Sequence, residues 1–179
     1  PPFFFTLKMS RMKVITGKIC LSKFATDGDT VPFKADNLND VASLGLKPKP
    51  TTAAPWVRVR LDGIDAPELH TDGRAQSTVW GRAAVQELYT SAGGGSVTWS
   101  IAGSYPMNEE EITVKLGIVG IDKFKRMIGV MWHADADPVS DPALNTNLVR
   151  RGLAYPGIYT STPASLAAAI RYAWAEAVT

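Results

Sequence analysis

A small antiparallel β-barrel decorated with three helices, mainly β within the α+β class, is the fold this chain predicts. Three observations carry that expectation. Short strand-like runs succeed one another without the regularly spaced crossover helices that a parallel βαβ sheet requires. One helical stretch is inserted among them and two more trail behind. The chain has 179 residues, the size of one domain, enough to bury about two-thirds of its unfolded surface.

Residues 1–11, opening Pro1-Pro2-Phe3-Phe4-Phe5, read as an N-terminal arm ahead of a domain over 12–179. The absence of an opening Met fits a chain that has been processed or is a piece of a longer one; a removed targeting segment, for secretion or an organelle, is compatible with both and shown by neither. The row 12–24 is strand-like, with Gly17 as a bulge and Cys20, the one cysteine, as a small core hydrophobe. Asp27-Gly28-Asp29-Thr30-Val31 reads as a hairpin turn. The residues after Asp29 lack the oxygen ligands and closing glutamate of a helix–loop–helix calcium loop. Residues 32–56 carry four prolines and little periodicity. They read as a long loop with a short helix at 38–44 and a basic tip at Lys47 and Lys49. A loop of that length between two strands is expected to border the site as a mobile flap.

Next, Val57, Val59 and Leu61 alternate with Arg58, Arg60 and Asp62, the period of a half-buried strand. Gly63 breaks the alternation and Ala66-Pro67 stops it, leaving Asp65 and Glu68 at the strand's end. Arg60 lies five residues before Asp65. On these residues alone, a surface ion pair and an active site account for the pattern equally well.

The inserted helix is read at 76–91, where Val79, Trp80, Ala83, Ala84, Val85 and Leu88 recur at helical spacing. Ser77 or Thr78 caps its start, and Ala92-Gly93-Gly94-Gly95 ends it. Residues 96–101 read as a strand, and Glu109-Glu110-Glu111 as a solvated face. Strands at 112–121 and 127–133 flank a basic tip, Asp122-Lys123-Phe124-Lys125-Arg126. His133-Ala-Asp135-Ala-Asp137 has metal-like letters but falls in a loop of turn-forming aspartates. The trailing helices are read at 144–153, with Leu148 and Val149 inward, and at 165–178, started by Pro163 and Ser165; an irregular strand at 154–162 separates them.

Composition excludes little. A net charge of +2 permits a polyanionic partner without demanding one. No apolar run approaches the ~20 residues of a membrane span.

Taken together, Asp-Gly-Asp-Thr-Val (27–31), Arg60-x4-Asp65-Ala-Pro67-Glu68, Asp122-Lys-Phe-x-Arg126 and Leu148-Val-Arg-Arg-Gly152-Leu-Ala resemble the staphylococcal nuclease family. The four motifs fall in the family's order, across about residues 12–179. The resemblance implies a five-stranded OB-fold barrel with three helices that hydrolyses phosphodiester bonds of DNA or RNA with one Ca²⁺. It implies Asp29, Asp65 and the backbone carbonyl of Ala66 as metal ligands, with Asp27 in the outer shell. Glu68 would activate the attacking water, and Arg60 and Arg126 would clamp the phosphate. Lys123 and Phe124 match nucleotide-pocket positions; the family commonly has tyrosine where Phe124 stands. Tyr159, with Tyr155 behind it, is the best match to the family's stacking tyrosines, because Pro156-Gly157 disturbs the spacing. A second reading is a non-catalytic barrel serving as a structural or nucleic-acid-binding subunit, in which the acids ion-pair with Arg60.

Overall fold

The computed structural model describes residues 12–46, 56–70 and 77–179. Its strands are β1 (Lys13–Ile19), β2 (Thr30–Ala35), β3 (Val57–Leu61), β4 (Gly63–Asp65), β5 (Ile112–Ile121), β6 (Met127–His133) and β7 (Tyr155–Gly157). Its helices are α1 (Leu38–Ala42), α2 (Thr78–Ser91), α3 (Leu144–Arg150) and α4 (Ala164–Ala177). Five strands close into a barrel in the order β1-β2-β3-β6-β5, and β4 pairs with β7 beside it.

The barrel is mixed, which corrects the antiparallel expectation. β3 and β6 run parallel, with Arg60 opposite Ile128, while the other four seams are antiparallel. A parallel seam needs a long crossover, and the chain between β3 and β6 supplies it with α2 and β5. Strand β3 keeps the predicted alternation: Val57, Val59 and Leu61 are buried, Arg58 is exposed and Arg60 half-buried. The interior is filled by Phe33, Leu61, Leu116, Met127 and Trp132. Leu88 of α2, Leu148 of α3 and Ile170 of α4 cap the same core. Each such side chain contributes about 1.5–3 kcal/mol relative to exposure.

Several expectations shift. Gly17 is no bulge: β1 pairs with β5 without interruption from Lys13 to Ile19. A Cβ at Gly17 would collide with the Phe33 ring and the Lys34 carbonyl, so close packing explains the glycine. The irregularity lies in β5 instead, between Ile118 and Gly120. Residues 32–35 belong to β2 rather than to a loop, with Pro32 paired against Arg58. Residues 96–101 form no barrel strand; Trp99 makes one isolated bridge to Pro106 because no barrel edge is left to accept them. Helix α3 ends at Arg150, earlier than read, followed by Gly152 at φ 69°. The N-terminal arm and the Lys47–Lys49 tip of the expected flap lie outside the described residues.

Candidate functional site

The site begins with register. Thr30 of β2 lies opposite Arg60 of β3, and Leu61 N–H donates to the Asp29 carbonyl at 2.7 Å. That pairing sets the Asp29 carboxylate beside the Arg60 guanidinium, where Oδ1 accepts an ion pair from Nη1. Asp29 Oδ1 also accepts from the Thr30 hydroxyl at 3.1 Å, and Oδ2 accepts from Ala66 N–H at 2.7 Å. The other terminal nitrogen of Arg60 bonds Asp65 Oδ1 at 2.7 Å and the Ile64 carbonyl at 3.2 Å. One guanidinium thus bridges an acid that is wholly buried and one that is largely exposed.

The turn holding Asp27 and Asp29 is tight. Asp27 and Thr30 exchange backbone hydrogen bonds at 3.0 and 3.3 Å, as the hairpin signal predicts. Gly28 between them is packed so closely that a Cβ would sit 2.5 Å from Ala84 of α2 and 2.9 Å from Ala66. Small residues on three elements therefore press the acidic turn onto the helix. Asp27 Oδ1 in turn accepts Leu69 N–H at 2.9 Å, tying residues 66–69 back to the turn.

Burial and charge set the protonation balance. Burial pushes the Asp29 carboxyl up, while the Arg60 charge, the Ala66 amide and the Thr30 hydroxyl pull it down without cancelling the rise. Burial pulls Arg60 down, yet the charge of Asp29 and the bonds to Asp65 and Asp29 carry it above its ordinary value. The two directions conflict, and the contacts decide between them. The Arg60 guanidinium, the Thr30 hydroxyl and the Ala66 amide all donate to Asp29, which suits an acceptor-only carboxylate. The pair is charged. Glu68 is pushed up to about 7 by burial, by the negative charges of Asp27 and Asp29, and by a hydrogen bond to Asp27.

A second wall comes from the β5–β6 hairpin. Asp122 organises its tip: Oδ1 accepts from Phe124 N–H and Arg126 N–H, each at 2.9 Å, and Oδ2 accepts from Arg126 Nε at 2.7 Å. Lys125 sits at φ 60°, a left-handed position that closes the turn. Phe124 is exposed, with the cations of Lys123 and Arg126 5.1 and 5.4 Å from its ring centre.

The parallel β3–β6 seam brings the two walls together. Arg60, Lys123, Phe124, Arg126 and Tyr159 line one cavity of about 540 Å³, within the range of small-molecule sites. Five of the residues singled out in the sequence therefore share one space, and Asp29, Asp65 and Ala66 surround Arg60 at its edge. Tyr155 is apart: its ring packs at a tilt against Trp174 and faces a different cavity with Trp80 and Leu153.

Sequence reasoning missed what holds Tyr159. Thr162 Oγ1 donates to the buried Asp62 carboxylate at 2.9 Å and accepts from Tyr159 N–H at 3.1 Å. Asn145 binds the Asp62 carbonyl at 2.9 Å and Met131 N–H at 3.0 Å, joining α3 to the strands. Ser161, in the same turn, also lines the cavity. Strand alternation pointed Asp62 toward solvent, and only its break at Gly63 hinted otherwise.

Asp27, Asp29, Asp65 and Glu68 offer hard carboxylate oxygens, the donors that Ca²⁺ and Mg²⁺ favour. Acids outnumber the one guanidinium among them, and that surplus negative charge, visible in Glu68, suits a cation in kind. Among the described residues, however, no three His, Cys, Asp or Glu side chains converge closely enough to hold an ion as they stand. Arg60 occupies one oxygen of Asp29 and one of Asp65.

No helix among the described residues is long and apolar enough to cross a membrane. No individually curated protein matches the chain. The model of the staphylococcal nuclease homologue family matches residues 58–178, from β3 through α4. The match covers more than half of the chain and carries the Arg60–Glu68 segment and the 122–126 tip, and so the chain belongs to the staphylococcal nuclease homologue family.

Proposed function

We propose that the protein is a Ca²⁺-dependent nuclease that hydrolyses phosphodiester bonds of DNA or RNA with little sequence preference. The observation that supports this most is the convergence of Arg60 and Arg126, from opposite sides of the parallel seam, on one cavity with an exposed ring between cations. Two guanidiniums can grip one phosphate bidentately and stabilise charge that develops on its oxygens. Phe124 and Tyr159 offer faces for a base or sugar, and Lys123 a further cation.

In this reading Asp29, Asp65 and the Ala66 carbonyl would hold the ion, with Asp27 outside them. Bound there, Ca²⁺ supplies Lewis-acid polarisation of the phosphate. Glu68 acts as general base, taking a proton from the attacking water, while Asp27 orients it. Arg60 holds the acids in place and grips the phosphate; Arg126, fixed by Asp122, grips it from the hairpin side.

A second reading, a non-catalytic barrel, draws on the double ion pair of Arg60 with Asp29 and Asp65, which is what a purely structural charge pair looks like. Plasmid and single-stranded substrates incubated in millimolar calcium, then in EGTA, separate the two. The nuclease reading expects cleavage only with calcium, and its loss in Glu68→Gln with an unchanged melting temperature. Wild-type protein that leaves both substrates intact in calcium would favour the non-catalytic barrel; undiminished turnover in Glu68→Gln would remove Glu68 from its role.

A further inference from the structure

We propose that a second cavity continues the first across the hairpin tip and holds the next stretch of a single-stranded nucleic acid. This rests on the reading that the Arg60–Arg126 cavity takes a nucleotide phosphate. The second cavity has a volume of about 480 Å³ and is lined by Phe24, Trp56, Arg58, Phe124, Lys125 and Arg126, among others. Phe124 and Arg126 line both cavities, so the two share a wall and one ring stands between them.

Three features identify the occupant. The first is charge: Arg58, Lys125 and Arg126 line the cavity, and none of its described lining residues is acidic. Such a surface attracts a polyanion and repels nothing in it. The second is aromatic faces beside those cations. Arg58 lies over the Phe24 ring at 5.5 Å and Arg126 beside the Phe124 ring at 5.4 Å. Alternating cations and rings are the equipment for tracking a backbone while stacking its bases. The third is that two of these charges, Arg58 and Lys125, unlike Arg126, enter no ion pair among the described residues. Arg58 points outward from β3 opposite the buried Val57 and Val59, and Lys125 is exposed at a left-handed position where glycine would be more comfortable. Stacking on Phe24 and Phe124 requires unpaired bases, so the occupant is single-stranded rather than duplex.

Binding, measured with catalysis stopped by EGTA, tests the track on the full chain. Fluorescein-labelled oligothymidylates of two and twelve nucleotides are titrated against wild type and Arg58→Ala/Lys125→Gly. Glycine suits the backbone at 125, and both side chains are exposed, so the fold is retained and checked by its melting temperature. The double variant is expected to bind the twelve-mer on the order of tenfold more weakly and the dinucleotide as before. Its log affinity against log salt should lose about 1.4 of slope, two phosphate contacts at ~0.7 each on a single strand. Arg58→Lys should restore most of Arg58's share of the slope, because the charge is retained. Equal affinity of wild type and double variant for the twelve-mer overturns the track, as does an equal loss for both lengths or equal binding of a duplex. Should the wild type prove unable to cleave in calcium while the length-dependent difference persists, the nuclease reading fails and the track stands.

Discussion

The two walls of the central cavity carry opposite electrostatic designs. Around Arg60, acids outnumber the base and Asp29 is wholly buried; burial pushes Asp29 up, and Glu68 with it. At the 122–126 tip, three cations face one acid at the surface, and Asp122 moves the other way. Burial works against its charge, yet the amides and guanidinium gathered on it hold it below its ordinary range. The first wall is a charge arrangement that the core must tolerate; the second is a loop that a carboxylate assembles from its own neighbours. Stability should therefore depend on the first, and binding on the second.

Removing the cation from each wall gives the sharpest contrast. Arg60→Leu leaves Asp29 buried beside no counter-charge and should cost about 3–5 kcal/mol, read as a lowered midpoint in denaturant titration. A midpoint within error of the wild type would show that Asp29 is neutral in the fold. Arg126→Lys should instead keep the midpoint, because a lysine still neutralises the exposed tip. It should lower calcium-dependent turnover about a hundredfold, since an ammonium cannot reproduce the planar fork. Full turnover with lysine would mean that Arg126 serves only as a point charge.

The smallest effect is one of pH. Asp122 has a folded pKa below the ordinary aspartate value of 3.8, so its contribution is fully present above that value. It is lost as pH falls through the lower folded value. Asp122→Asn should accordingly be less stable than wild type by about 1 kcal/mol near pH 6. The two should converge in thermal melts as pH approaches 2. A gap that persists in acid would point to the geometry of the turn rather than to the charge.

How much of this was legible in the sequence depends on the range of the contact. The strand at 57–61 was readable because its alternation is local, and the acids at its end marked where a polar cluster could form. The Asp27–Thr30 turn was readable for the same reason. What lay beyond local pattern was the packing of Gly28 on Ala84 and Ala66, which needs three separate elements. Likewise Asp62 is buried because Thr162, far along the chain, reaches it. Residues 96–101 misled because β-branched residues and tryptophan suit a strand, whereas a strand also needs a free edge. The parallel seam had no local signature at all. Only the ordered motifs of the family resemblance put Arg60 and Arg126 within reach of each other.

That seam also governs when the cavity exists. Arg60 and Arg126 are separated in the chain by all of α2 and β5, and they meet only where β3 lies against β6. Contacts of such long span are formed slowly, after nearer ones have made the ordering of the intervening chain worthwhile. A chain still being synthesised, or one opened along this seam, has its two guanidiniums on separate pieces. The native barrel and the cavity shared by the two guanidiniums thus arrive and disappear together. A half-folded copy of this protein carries both guanidiniums without the cavity they share, and on the reading proposed above it would neither grip a phosphate nor cleave one.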